Sequence, residues 1–98
     1  MSVPVILRPE AEADIQGTFA DLEQSQAGLG RQFAARVREV LERIESMPGL
    51  YGVVWQTVRA ARLKKFRYVV YYVAFPDRVE VLAVMHGSRD PSAWQSRV

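Results

Sequence analysis

Residues Arg59 to Arg89 read RAARLKKFRYVVYYVAFPDRVEVLAVMHGSR, and this stretch decides the fold. Arg67 to Phe75 is rich in Val and Tyr, Pro76-Asp77 breaks it, and a second Val-rich run extends from Val79 to His86. The pattern predicts two long antiparallel strands joined by a short turn. Side chains alternate along a strand, so Tyr68, Val70, Tyr72 and Ala74 share one face, and Val69, Tyr71, Val73 and Phe75 share the other. Both faces are apolar. A strand covered on one side only alternates apolar with polar residues, so this one is expected mid-sheet, with both faces shielded.

Upstream, Val3 to Leu7 is a short β-branched run that reads as a first strand. Pro9 then suits the first position of a helix, and Glu10, Glu12 and Asp14 place negative charge near the positive end of its dipole. Ala11, Ile15, Phe19 and Leu22 recur at spacings of three and four, which predicts a helix from about Glu10 to Gln26. Gly17 weakens it by about 1 kcal/mol relative to alanine. Gly28 and Gly30 mark a turn into a second helix, expected over Gly30 to Met47 with Phe33, Val37, Val40, Leu41, Ile44 and Met47 on its apolar side. Glu39 and Arg43 are spaced for an ion pair on its outer side. Pro48-Gly49 stops it. Val53 to Trp55 is apolar but ambiguous, Val58 to Leu63 reads as a strand, and Lys64-Lys65 as a turn. The tail from Arg89 to Val98 has room for one helical turn.

The expected fold is therefore α+β. An N-terminal strand and an αα-hairpin precede a three-stranded antiparallel meander, together making one mainly antiparallel four-stranded sheet. Two helices can roof only one face of that sheet. On the other, only Trp94 and the tail remain as cover, so the sequence predicts a residual apolar binding surface. Trp94 is read most simply as a lid on the sheet edge.

At 98 residues the chain suits one domain, expected over 1–98, with a core that needs no staple. It contains no cysteine and one histidine, which argues against thiolate or histidine-rich metal sites, and no cofactor motif is present. The start MSVPVILRPE lacks a signal-peptide pattern and no apolar run is long enough to span a bilayer, so a cytoplasmic location and no membrane partner are expected.

The net charge of +2 conceals a strong polarity. Residues 1–50 carry five basic and eight acidic side chains, whereas residues 51–98 carry eight and three. No acid occurs between Tyr51 and Pro76, and Arg59, Arg62, Lys64, Lys65 and Arg67 fall within nine residues. Such a cluster suits nucleic-acid phosphate or an acidic partner segment, although charge runs are also common on solvated faces. Arg67 has too many basic neighbours to be neutralised by the few acids nearby, even if Glu80 pairs with it across the hairpin. His86, ending a strand before Gly87, is more often a hydrogen-bonded structural residue than a catalyst. Tyr68, Tyr71 and Tyr72 have faces suited to stacking bases, but tyrosines in a central strand usually belong to core or interface.

Four segments, in order, resemble the ParE/RelE superfamily of toxins from type II toxin-antitoxin systems. They are LRPEAEADI at Leu7 to Ile15, the helix end at Pro48-Gly49, RLKKFRYVVYY at Arg62 to Tyr72, and VLAVMHGSRDPSAW at Val81 to Trp94. The last is ParE-like in particular. The resemblance implies a small α/β toxin, with a role in plasmid stabilisation, held inactive by a cognate antitoxin that wraps over it. ParE-like members inhibit DNA gyrase by binding it, and in that reading Arg59, Arg62, Lys64, Lys65, Arg67, Arg89, Trp94 and Arg97 form the contact surface. RelE-like members cut messenger RNA on the ribosome, which requires proton transfer and cations around the transition state. That alternative assigns Arg67, His86 and Arg89 to catalysis, aided by Lys64 and Lys65. The tail departs from it, because Gly87-Ser88 and Trp94 stand where some ribonuclease members carry a catalytic tyrosine. A third alternative is a degenerate member that retains only antitoxin binding.

Overall fold

The Val- and Tyr-rich runs pair as the alternation requires. In the computed structural model, which describes residues 2–98, Tyr68–Ala74 (β4) lies antiparallel to Val79–His86 (β5). Around them stand Val5–Leu7 (β1), the helices Pro9–Ser25 (α1) and Leu29–Ser46 (α2), and the strands Val53–Trp55 (β2) and Val58–Arg62 (β3). A short helix, Ser92–Gln95 (α3), follows β5. The expected α+β order is present, with one correction. The sheet has five strands in the order β1-β5-β4-β3-β2, not four, and β1 runs parallel to β5.

The extra strand is β2, a three-residue edge joined to β3 through Gln56-Thr57, where Gln56 adopts a positive φ of 50°. A turn with φ > 0 usually carries Gly or Asn, so this hairpin lacks its ordinary sequence signal. The helix pair also differs in detail. Arg36, not Arg43, pairs with Glu39, at 3.1 Å. Gly30 is a contact rather than a flexible joint. A Cβ there would stand 2.6 Å from the Phe19 carbonyl oxygen and from Glu23 Cγ, so the α1–α2 approach requires its absence.

Two apolar clusters lie on the two sides of the sheet. On the helix side, Val70 and Tyr72 of β4 and Val79, Val81 and Val84 of β5 bury against Ala11, Phe33, Val37 and Ile44. The Tyr72 hydroxyl donates to the Pro48 carbonyl at 2.8 Å, which satisfies its polar end. On the other side, Val69, Tyr71 and Val73 pack with Leu82, Ala83, Met85, Val58 and Trp94. Strict alternation would send Leu82 and Ala83 to opposite sides. A bulge in β5, between the pairs Tyr71↔Ala83 and Tyr72↔Val81, sends both to the second cluster and returns Val84 to the first.

The second face is not open as the sequence predicts. Trp94 stacks on Tyr71 with centroids 4.4 Å apart and planes 13° apart, and Trp55 meets it edge-on at 6.0 Å. Tyr71 is 7% exposed and Trp94 5%, so the tail seals this face from above rather than capping the sheet edge. The tail holds its place through Arg97. Its guanidinium reaches Asp14 of α1 at 2.7 Å and the Leu82 carbonyl at 3.1 Å, and the Arg8 guanidinium donates to the Arg97 carbonyl. Asp14 also accepts from the Val84 amide at 3.0 Å. Beyond Val81, where β1 pairing ends, Asp14 and Arg97 thus occupy backbone groups that a neighbouring strand would otherwise take.

Candidate functional site

The exposed apolar surface lies at the β2 edge instead. Met47, Leu50, Val53 and Val54 are each about half exposed, at 57%, 49%, 50% and 54%, so Met47, expected on the apolar face of α2, instead follows the helix end at Ser46 and faces outward. No charged residue occurs between Ser46 and Val58. Natural sheet edges are commonly protected by charge or proline, and β2 has neither.

An open groove of about 820 Å³ runs from this neutral edge to the cationic end of the sheet. Gly52, Val53 and Val54 form one flank, while Arg62, Arg67 and His86 form the other. Local geometry explains why the cations gather. Arg62 is the last residue of β3, the tight connection Leu63 to Arg67 reverses the chain, and Lys65 at its tip has φ 66°. The Leu63 amide donates to the Tyr68 carbonyl at 3.0 Å, and Phe66 anchors the turn against the Phe33 ring at 5.8 Å. Register then sets His86 opposite Tyr68, and the Gly87 amide donates to the Arg67 carbonyl at 2.7 Å. The ends of β3, β4 and β5 therefore meet at one place.

The sequence-assigned residues divide sharply at this point. Arg62, Lys64, Lys65, Arg67 and Arg89 are exposed and make no ion pair among the described residues. Arg62 and Arg67 line the groove, Lys64 and Lys65 sit on the turn outside it, and Arg89 follows His86 in a tight turn. Arg59, Trp94 and Arg97 have structural partners. The Arg59 guanidinium donates to the Tyr51 carbonyl at 2.6 Å, tying the α2–β2 connection to β3. Arg97 is committed to Asp14, and Trp94 reaches the groove only as part of its wall. Arg67 has no pairing with Glu80, which is held instead by Arg8 at 3.0 Å and Arg78 at 2.7 Å.

His86 is oriented by its own turn. Its Nδ1 accepts from the Ser88 amide at 3.1 Å and lies 2.7 Å from Ser88 Oγ, which places the ring proton on Nε2. Its ring meets Tyr68 edge-on at 5.4 Å. Tyr71 has its phenol pushed up by burial, so it is a poor proton donor near neutral pH. Tyr71 and Trp94, stacked on each other and 7% and 5% exposed, also offer no open face to a base.

Val53, Val54 and Ser88 enter the site without having been singled out in the sequence. The signal available for the first two was the charge-free run around them. No group of three or more His, Cys, Asp or Glu side chains is placed to hold a metal ion among the described residues, and none of their helices is long and apolar enough to cross a membrane.

Comparison with known proteins converges on one family. Residues 5–91 match the family described as ParE toxin of type II toxin-antitoxin system, parDE. Toxin ParE2 of Mycobacterium tuberculosis, strain CDC 1551 / Oshkosh, is 29% identical over 80 residues, covering 82% of this chain and 74% of the relative. Toxin ParE2 of strain ATCC 25618 / H37Rv matches to the same extent. A solved chain of the chromosomal ParDE TA system from P. aeruginosa superposes with a TM-score of 0.76. That match covers 87% of this chain and 96% of that one at 9% identity, a likeness of fold.

Proposed function

Since the chain belongs to the ParE toxin family of type II toxin-antitoxin systems, we propose that it is a cytoplasmic toxin that inhibits DNA gyrase by binding it, neutralised by a cognate antitoxin. The single observation that carries the reading is the groove. Unpaired Arg62 and Arg67 stand beside exposed Val53 and Val54, an arrangement suited to protein recognition. Lys64, Lys65 and Arg89 extend the positive surface around it and steer an acidic partner surface toward it. Arg59, Trp94 and Arg97 then act indirectly, by holding the strands and tail that shape the groove.

Messenger cleavage on the ribosome is the second reading, and one feature favours it. Arg67 and His86 line the same groove at the same end of the sheet. Against it, Tyr71 is stacked on Trp94 and its phenol is pushed up by burial, which makes it a poor proton donor.

A gyrase supercoiling assay run beside ribosome-programmed messenger cleavage separates the two. Inhibited supercoiling with intact messenger is the expected result, and codon-phased cuts without an effect on gyrase would replace it. Under the second reading, replacing Arg67 and His86 together by alanine abolishes cleavage. A double variant that cuts at the parent rate removes both residues from that chemistry.

A further inference from the structure

The chain's one histidine faces a serine hydroxyl. Ser88 Oγ lies 2.7 Å from His86 Nδ1, and both residues line the groove with Arg62 and Arg67. Because Nδ1 also accepts from the Ser88 amide at 3.1 Å, the ring turns its lone pair to this side and the hydroxyl donates to it. The turn that carries the pair is fixed at both ends. The Gly87 amide donates to the Arg67 carbonyl at 2.7 Å, the Arg89 amide donates to the His86 carbonyl at 3.0 Å, and Tyr68 braces the imidazole edge-on at 5.4 Å. The hydroxyls of Ser46 and Ser96, by contrast, donate to backbone carbonyls, which cannot take a proton. A hydroxyl held against an imidazole base is the arrangement that activates serine for attack. We propose that Ser88 is a phosphoryl-acceptor site, with His86 as its general base and Arg62 and Arg67 receiving the incoming phosphate.

The surroundings favour phosphoryl over acyl transfer. An acyl acceptor needs amide donors aimed at one developing oxyanion, and the Ser88 amide is turned to Nδ1 instead. Phosphoryl transfer spreads charge over three equatorial oxygens, which planar guanidinium forks meet well, and Arg62 and Arg67 make no ion pair among the described residues. The donor class is a phosphoric anhydride, either an acyl phosphate or a nucleoside triphosphate. Ser88 Oγ attacks phosphorus, and the Oγ–P bond forms as the bridging P–O bond breaks. The electron pair of the broken bond leaves with the departing carboxylate or nucleoside diphosphate, and the hydroxyl proton passes to Nδ1 and then to water. The product sets a phosphate dianion beside Arg62 and Arg67, supplying the counter-charge they lack. On the reading of the groove as a target-binding surface, this modification switches that surface off.

The test incubates the full chain with acetyl phosphate and, separately, with ATP and magnesium, reading intact mass and locating the modified residue by fragmentation. One phosphoryl group on Ser88 is expected, and the arm that delivers it identifies the donor. His86→Asn keeps an acceptor for the Ser88 amide but no base, and should slow labelling about 100-fold. Arg67→Ala should slow it about 10-fold, less than loss of a donor in a closed site, because the groove is open to water. Ser88→Ala should take no label, and Trp94 fluorescence checks that each variant keeps its fold. Labelling of Ser88 no faster than that of exposed Ser25 and Ser92, or at the parent rate in His86→Asn, overturns the assignment. An acid-labile label that persists in Ser88→Ala also overturns it, by placing the phosphate on His86 itself, as does the absence of label from both donors. None of these readouts involves gyrase, so failure here leaves the toxin reading standing, and failure of the supercoiling assay leaves Ser88 standing.

Discussion

Removing the Asp14 carboxylate is the sharpest test of how the tail is held. In Asp14→Ala the Val84 amide loses its acceptor, and the Arg97 guanidinium loses contacts of 2.7 and 3.3 Å. Hydrogen bonds to charged groups contribute about 1.5–3 kcal/mol each, and an exposed ion pair contributes about 0–1 kcal/mol. The pair is about one-fifth exposed, with side-chain values of 22% for Arg97 and 16% for Asp14, so the lower part of the first range applies. We expect Asp14→Ala to cost about 2–4 kcal/mol and Arg97→Ala about 1–3 kcal/mol, because the second leaves the Val84 amide with its acceptor. In the double variant a coupling energy of about 1–2 kcal/mol should appear. Urea unfolding with a shared slope measures all three, and Trp94 emission reports whether the tail has lifted. An Asp14→Ala cost under about 0.5 kcal/mol, or additivity of the two substitutions, would show that the clamp is ornamental and that Trp94 packing alone holds the tail.

Two glycines predict opposite outcomes from the same substitution. Gly17 faces open space within α1, so Gly17→Ala should stabilise by about 0.5–1 kcal/mol, whereas Gly30→Ala should destabilise by about 1–3 kcal/mol by forcing α1 and α2 apart. Thermal unfolding reads both, and a shared sign refutes the stated environments. Acid should destabilise the fold through three carboxyls. The Gly28 amide, then those of Arg31 and Gly30, hold Glu23 below its usual range, Arg78 and then Arg8 do so for Glu80, and Ser92 does so for Asp90. A depressed folded pKa contributes stability fully present above the unfolded pKa and lost as pH falls through the folded one. Urea midpoints should accordingly hold steady from pH 7 to about 5 and fall below about 4. Glu80→Gln should be less stable than the parent at pH 7 and converge with it in acid, and a gap independent of pH would exclude the linkage.

Much of the fold is legible because its long elements have long periods. Helices expected at Glu10 to Gln26 and Gly30 to Met47 occur at Pro9–Ser25 and Leu29–Ser46, and the last strand occurs at Val79–His86 as read. Strand β2 is only three residues long, too short for alternation to register, and its turn uses Gln where Gly is usual. The bulge is invisible for another reason. Leu82, Ala83 and Val84 are all apolar, so a slip of face leaves no mark in the pattern. The cationic end of the sheet was readable as a local cluster, and Arg62 and Arg67 do line the groove. Arg97 was not readable, since its partner Asp14 is 83 residues away and nothing local distinguishes a clamping arginine from a free one. The same long-range closure defeats the expectation of a bare second face. Trp94 and the tail look like slight cover in the sequence, whereas stacking on Tyr71 and the Arg97 clamp make the tail a lid over the cluster.

The placement of β1 bears on how the toxin comes into being. It docks on β5, and its neighbour Arg8 binds Glu80 at a separation of 72 residues, so β1 is synthesised well before the strand it pairs with. Contacts of such range form slowly and late. A polypeptide interrupted before Val79 lacks the strand to which both β1 and β4 are hydrogen-bonded, and with it any framework to carry Arg67. Translation that stalls before Val79 should therefore release a fragment in which this sheet is not assembled.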